Sequence, residues 1–556
     1  MIGSVGCLTV WGQGTNTLPN SDYAHLIDRL EIQSGAFIPG VHTSVKGYNR
    51  KHLAVFLDTL ALNKQALSTR DQFNLQYLLQ DNWEFATQAD TLPKRGLLST
   101  LYTNSIDCYS VNTPAFKMRF NPVFHFSGGQ STEEDLRYFI NTRGAEVRGL
   151  IDGKVGFYSF IGENQARFPE YVRELTREGR YVPGEIFFKG FKDQGVDFFT
   201  ARGYISLNAT RHINVQFGHD KFFIGNGYRS VILSDYGAPY TYLKLNTRVW
   251  KIDYTNLFTE MRAHGFVRLP GEGDRNIPRK YMVFHRLGIN LTERLNVGFF
   301  ESVMYGQPDS LGSSGFEFGY LNPIIFYRAI ESGAGSQSNA ILGADAKWNI
   351  GKSLSLYGQF TLDEFLLENI RARNGWWANK YALQAGLKYI NVFGIRHLDL
   401  QAEYNTIRPF TFQHRDQYTN YAHYRQPLAH PLGANFREYL AILRYQPIKR
   451  VNLTAKFIRM EQGLDSANIN FGGQVMDSYN TRYARPNDIG HFTTQGIAAE
   501  TLFTELTLTW MLRNNIFVDL KYLNRNRTAE WPGYEQHTHA FFVSFRMNIP
   551  QRLHDF

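Results

Sequence analysis

The chain lacks most of what marks the commoner routes to function. It has only two cysteines in 556 residues, Cys7 and Cys108, far apart in sequence. They form neither a metal-ligand spacing nor a disulfide framework. No apolar stretch reaches the roughly 20 residues of a membrane-spanning helix. There is no GxSxG elbow, no HExxH and no GxxxxGK(S/T) phosphate loop, so the usual marks of a hydrolase, zinc protease or nucleotide enzyme are missing. Asp363 and Glu364 are the most suggestive acidic pair. Adjacent strand positions point to opposite faces, so they do not form a catalytic couple. His414, His423 and His430 have no metal-site spacing, and His537 with His539 supplies only two ligands. No catalytic residue, cofactor or metal is expected. Charge of one sign is not concentrated either. Lys and Arg number 59 against 50 Asp and Glu, a net +9 that is spread rather than gathered into a stripe. Nucleic acid is one conceivable partner and anionic polysaccharide or lipopolysaccharide fits equally well, so the charge does not choose between them; no nucleic acid is expected as a partner.

What the chain does have is alternation. Phe541, Val543, Phe545, Met547 and Ile549 are interleaved with Phe542, Ser544, Arg546 and Asn548. This two-residue period gives one apolar and one mostly polar face. It recurs at 116–126, 204–217 in two pieces, 249–257, 281–290, 295–305, 341–348, 354–362, 381–389, 398–404, 439–445, 453–457, 502–510 and 516–522. Aromatic residues make up 15% of the chain, which suits interfacial girdles of Tyr and Trp and a lipid face rich in Phe. The mean hydropathy of -0.34 is compatible with a membrane, because a barrel's lumen is polar and its lipid band thin. A sheet in lipid must close on itself to satisfy its backbone. The expected fold is therefore all-β: a large antiparallel transmembrane β-barrel of about 16–18 strands, in the outer membrane of a Gram-negative bacterium.

The organisation follows from where the period changes. Residues 1–19 read as an incomplete leader or disordered N-terminus, with no basic segment before the apolar stretch. Residues 20–110 read as a helical periplasmic unit with a linker. Leu26, Ile27 and Leu30, then Leu53, Phe56, Leu57 and Leu60, then Phe73, Leu75 and Leu78 lie near helical spacing, with Ser68 or Thr69 as an N-cap. Residues 111–556 read as the barrel. Tight turns at 290–294, 350–352, 449–450 and 514–515 contrast with long polar loops at 164–183, 308–315, 408–435, 464–491 and 524–538. Short turns on one side and long loops on the other are the outer-membrane asymmetry.

Three segments are candidate sites. Around 215–239, Gly218, Gly225 and Gly227 permit turns or close packing. His219, Asp220, Arg229, Ser234, Asp235 and Pro239 form a polar motif that either braces the wall or contacts a ligand, with Asp220 or Asp235 as the expected partner of Arg229. In 369–380, Trp376 and Trp377 beside Arg371 and Arg373 either sit in the interfacial girdle or stack on sugar rings while Arg pairs with acidic groups. The loop 408–435 offers Arg415, Tyr418, Tyr421, Tyr424 and Arg425 as ligand contacts. Its alternatives are a solvated cover over the mouth or a constriction folded into the lumen.

The segment 217–239, FGHDKFFIGNGYRSVILSDYGAP, with YAHLIDRLEIQSG at 23–35 and EFGYLNPIIFY at 317–327, resembles the Wzi-type capsule-assembly proteins. Within them it is similar to the RemB-like barrels of gliding Bacteroidetes. Where relatives carry a tryptophan beside the central glycines, this chain has Phe222 and Phe223. The resemblance implies an outer-membrane barrel of about eighteen strands with an N-terminal helical bundle on the periplasmic side. It implies a non-enzymatic, lectin-like anchor that organises capsule or exopolysaccharide, or, by the gliding relatives, surface adhesins. The partners so implied are outer-membrane lipid, lipopolysaccharide and a surface polysaccharide, with an adhesin or secretion-machinery protein as a further partner, and the protein acting as a monomer. The alternative classes are a plugged diffusion channel or transporter and a gliding or secretion accessory that binds a protein.

Overall fold

The computed structural model describes residues 14–556, apart from 20, 92–98, 264–266, 269–274, 307–314, 323–337, 467 and 481–486. The expected leader core at 1–13, the polar segment 308–314 and the end of the 317–327 segment lie outside these residues.

Eighteen antiparallel strands form the wall. They are β1 (Phe116–Ser131), β2 (Arg137–Ile151), β3 (Val155–Arg167), β4 (Gly195–Asn208), β5 (Ile213–Asp220), β6 (Tyr240–Val249), β7 (Ile252–Arg262), β8 (Arg279–Asn290) and β9 (Leu295–Tyr305). They continue with β10 (Asn339–Ile350), β11 (Leu354–Glu364), β12 (Lys380–Tyr389), β13 (Leu398–Ile407), β14 (Phe436–Ile448), β15 (Val451–Leu464), β16 (Ile497–Arg513), β17 (Ile516–Ala529) and β18 (Gln536–Met547). Each pairs with the next, and β18 returns to β1 from Phe124↔Met547 to Ser131↔Ala540, so the sheet closes. A short strand, Tyr109–Asn112, covers the remaining part of that edge of β1, pairing Tyr109↔Phe120 through Asn112↔Lys117.

The two-residue period sorts side chains as expected. Along β16, Leu502, Leu506 and Trp510 face out and are 41%, 48% and 50% exposed, while Thr501, Phe503 and Thr507 are buried inside. On β11, Ser355, Tyr357, Gln359, Thr361 and Asp363 are all buried on the lumen side. No water reaches backbone groups on the lipid side, so this closed ladder is what lets the strands cross the membrane.

Several sequence expectations need correction. The run at 249–257 straddles a turn, with Trp250 at φ 55 between β6 and β7. The apolar alternation continues through the bend and hides it. Strands β2 and β3 gave no clear period because apolar Tyr138, Leu150, Tyr158 and Phe160 point inward while polar Arg143, Ser159 and Glu163 point outward. The polar stretch 164–183 contains the end of β3 and a helix, Glu170–Gly179, which buries Tyr171, Val172, Arg173 and Thr176. The final alternation stops at Met547. Asn548 takes φ 56, and residues 549–556 turn back into the lumen. Gly14–Leu18, expected to belong to a leader or disordered end, pack on the wall. Asn16 N donates to the Tyr204 hydroxyl at 2.7 Å and Arg50 N to Thr15 O at 2.8 Å.

Three helices precede the barrel: α1 (Ala24–Ser34), α2 (Arg50–Leu62) and α3 (Thr69–Asp81). Gly35 at φ 78 ends α1, the Asn49 side chain caps α2, and Ser68 caps α3 through Asp71 N. They seat in the end of the barrel that carries the short turns. Tyr77 OH donates to Asn515 Oδ1 at 2.5 Å, and Asn74 Nδ2 to Gln446 Oε1 at 2.9 Å. Buried ion pairs fix them to the inner wall: Arg29–Asp399 at 2.5 Å, Lys388–Asp28 at 2.6 Å and Lys347–Glu31. Arg148 reaches Glu84 at 2.9 Å, just past α3, while Arg119 grips Asp107 at 2.5 Å. Losing one member of such a pair leaves an uncompensated buried charge, at a cost of about 3–5 kcal/mol.

Candidate functional site

The motif at 217–239 begins on β5 and then leaves the wall to run into the lumen. Gly218 is required by close strand approach, since a Cβ there would sit 2.4 Å from Gly203 O. Gly225, at φ +136, passes Gln359 with no room for a side chain. From there the loop meets the helical unit. Gly225 N donates to Ser44 O at 2.6 Å, and Lys46 N to Phe223 O at 2.9 Å. Val231, Ile232 and Leu233 are buried in a core that includes inward residues of many strands, among them Tyr204, Phe284, Ile407 and Phe436. Among the described residues the lumen is thus filled by this loop, by 408–435, by residues 549–556 and by the helical unit.

Arg229 does not pair with Asp220 or Asp235. Its Nε donates to Glu438 Oε1 at 3.2 Å, and its Nη1 and Nη2 to Asp555 Oδ1 and O at 2.9 and 2.5 Å. Lys456 Nζ reaches the same Asp555 at 2.6 Å. Burial alone would raise the Asp555 carboxyl, but Arg229 and then Lys456 outweigh it and hold it well below the usual carboxylate range. The expected partners lost because the loop turns Arg229 toward β14 and the returning chain, positions remote in sequence. Asp220 Oδ1 accepts from Lys221 N at 2.8 Å, and His219 Nδ1 lies 3.3 Å from Thr241 Oγ1. Ser234 N donates to Leu428 O at 2.8 Å, and His423 Nε2 sits 3.2 Å from Pro239 O. The arrangement is that of a brace between the wall, the two inward loops and the returning chain.

The loop 408–435 is mostly interior. Tyr418 and Tyr421 are buried, 6% and 1% exposed, and Tyr421 stacks on Phe412 with centroids 5.2 Å apart. As arranged here, neither ring offers a face to a polymer outside. The density of aromatics in this loop reflects packing with the 221–239 loop. Tyr424 and Arg425 are half-buried, and Arg425 Nη1 donates to Gly179 O at the end of the 170–179 helix. Arg415 is exposed.

The remaining candidates gather at the loop-bearing rim. A short helix, Leu367–Ala372, presents Arg371, with Arg373 just beyond it, and both are exposed. Trp376 and Trp377 are half-buried, 6.4 Å apart between centroids. Trp377 leans on Tyr479 at 5.0 Å and edge-on to Phe410 at 6.0 Å. The Lys380 ammonium lies over both the Trp377 and Tyr479 rings, at 5.1 and 4.5 Å, and pairs with Glu364 at 2.9 Å. His414 packs edge-on to Tyr479 at 5.8 Å, and Ser478 Oγ donates to Arg415 O. Tyr479 therefore joins the tryptophan segment to Arg415. Nothing in its local sequence marks it, because its partners come from two other loops.

A family model described as capsule assembly protein Wzi matches residues 129–553. Among solved structures, the chain is similar to Wzi of Escherichia coli, titled an outer-membrane protein involved in group 1 capsule assembly and a carbohydrate-binding β-barrel. The identity is 14% and the TM-score 0.56, covering 98% of this chain and 100% of that one. Two Pseudomonas aeruginosa proteins, OprD and OccK8 (OprE), match at 10% identity with TM-scores of 0.39 and 0.42. They cover 80% and 78% of this chain and 95% and 98% of theirs, and scores this low carry no argument. No curated protein sequence matches the chain at a significant level. A family model spanning well over half of a closed eighteen-stranded barrel fixes the assignment: this chain belongs to the Wzi capsule-assembly family of outer-membrane β-barrels.

Proposed function

We propose that the protein is a non-enzymatic outer-membrane barrel that binds surface polysaccharide, capsule or exopolysaccharide, at its loop-bearing rim and anchors it there. The observation that carries this reading is the rim cluster. Trp376 and Trp377 supply half-exposed aromatic rings backed by Tyr479, and the exposed Arg371 and Arg373 on the same loop and Arg415 on the neighbouring one supply guanidinium groups. Aromatic faces match the apolar face of a sugar ring, and a guanidinium fork matches a carboxylate. Supporting it, the solved relative from E. coli is titled a carbohydrate-binding barrel in capsule assembly. The filled lumen leaves the rim, rather than a pore, as the surface that meets the outside.

The test is binding of the purified, detergent-solubilised protein to acidic capsule polymers from its own host. The expected result is saturable, salt-sensitive binding, weakened about tenfold, or ~1.4 kcal/mol, by Trp377→Ala combined with Arg371→Ala and Arg373→Ala. Polymer binding unchanged in that variant refutes the rim as the site. No polymer binding by the folded wild-type protein shifts the reading to a surface adhesin or secretion-machinery partner.

A further inference from the structure

At the turn end, opposite the rim, a cavity of ≈ 280 Å³ lies between the 41–52 segment of the helical unit and the wall from β4 to β7. Four cations line it: Lys51, Arg211, Lys244 and Arg248. Its one carboxylate, Asp253, is already held by Arg248, whose Nε and Nη2 donate to Asp253 Oδ2 at 3.0 and 2.9 Å. Lys244 stands apart from the others. It points inward from β6, is 6% exposed, and has no hydrogen bond or ion pair among the described residues. Its ammonium lies over the ring face of Phe222 at 5.4 Å and is attracted by Asp253, the carboxylate that Arg248 already holds.

A buried ammonium that lacks an acceptor is costly unless something in the cavity supplies one. The space here is far larger than the single water that a lysine would need. The start of α2 adds to the same potential, since Asn49, Lys51 and His52 line the cavity and the helix presents its positive end there. His42 and His52 add polar contacts rather than charge at neutral pH, because burial lowers both to about 4. Asn208, Asn214 and Asn246 complete the wall, but they shape the cavity rather than serve it: the Asn246 amide donates to Asp253 Oδ1 and Thr255 Oγ1, both at 3.0 Å, and the Asn214 amide to Leu207 O and Asn208 Oδ1, at 3.3 and 2.9 Å.

We propose that this cavity binds a small polar anion, a sugar acid or sugar phosphate, with its acidic group on Lys244 and its hydroxyls beside the neutral imidazoles of His42 and His52. The site faces the periplasm and shares no residue with the rim, so it goes beyond the polymer-anchoring function and stands or falls separately.

Calorimetric titration of the intact barrel in detergent tests it, with glucuronate, glucose 1-phosphate, glucose and inorganic phosphate as probes. One or both acidic sugars should bind saturably, with a dissociation constant below ~1 mM, and glucose should not. Lys244→Met should weaken that binding at least tenfold, and Arg211→Ala several-fold. The triple rim variant described above should leave it unchanged. Arg211 lies on an exposed turn, so its variant decides the matter if Lys244→Met does not fold. The proposal is overturned if neither acidic sugar binds. It is also overturned if binding is indifferent to both substitutions, or if inorganic phosphate binds as tightly as the sugars.

Discussion

Replacing Arg229 with methionine should release the interior without opening the wall. Arg229 joins the 221–239 loop to β14 through Glu438 and to the returning chain through Asp555. Methionine keeps much of the stem's volume but strands both carboxylates in a buried setting, and such a loss costs ~3–5 kcal/mol. The lower end applies, because neither acid is left alone. Asp555 keeps Lys456 at 2.6 Å, and Glu438 keeps His430 at 2.9 Å and Asn405 at 2.8 Å. A loss of ~3 kcal/mol is roughly a hundredfold in a local opening equilibrium. Hydrogen exchange in detergent should therefore show amide protection at 224–233 and 549–556 falling about a hundredfold, with the strand amides unchanged. Arg229→Met combined with Glu438→Gln should recover part of the loss by removing one stranded charge. The linkage has a definite sign. Asp555 is held below its unfolded value, so its contribution is complete above an ordinary carboxylate pKa of ~4 and is lost only as pH falls further, toward the depressed folded value. Acid below about pH 4 should then loosen the same two segments in the wild-type protein. Unchanged protection in Arg229→Met would refute the view that this cluster, rather than apolar packing alone, holds the interior in place.

Two other outcomes are expected. Burial lowers His42 and His52 to about 4, so the folded form keeps them neutral while unfolded chain would protonate near 6.5. Stability of the 36–52 segment should be complete above pH 6.5 and decline as pH falls toward 4. Hydrogen exchange of that segment, compared with His52→Gln, checks this, and an identical pH profile in the variant contradicts it. In planar bilayers the protein should insert without steady conductance, because helices, two loops and the returning chain fill the lumen. Sustained open-channel current would contradict the filled interior.

Much of the fold was legible because a lipid-facing sheet imposes a local rule. Outward positions must be apolar and the sheet must close, so residues such as Leu354, Leu356, Phe360 and Leu362 against Ser355, Tyr357, Gln359 and Thr361 declare a strand without any tertiary information. The turns at 350–352, 449–450 and 514–515 and the N-cap Ser68 are equally local. The family was legible through the 217–239 segment. Strands β2 and β3 were not, because inward aromatics such as Tyr138, Tyr158 and Phe160 and outward polar residues such as Arg143, Ser159 and Glu163 erase the contrast between faces. The turn at Trp250 was hidden by alternation that runs straight through it.

The interior and the rim are another matter. The sequence determined a closed barrel, its loop asymmetry and a helical unit ahead of it, since each follows from periodicity and local turn chemistry. Only the tertiary structure decided that Arg229 answers to Glu438 and Asp555, that Tyr421 is core, that Tyr479 joins Trp377 to Arg415, and that Lys244 is left beside a cavity. Those partners are dozens to hundreds of residues apart. Charge pairing and burial in a lumen depend on which strands face one another across it, and no local pattern encodes that.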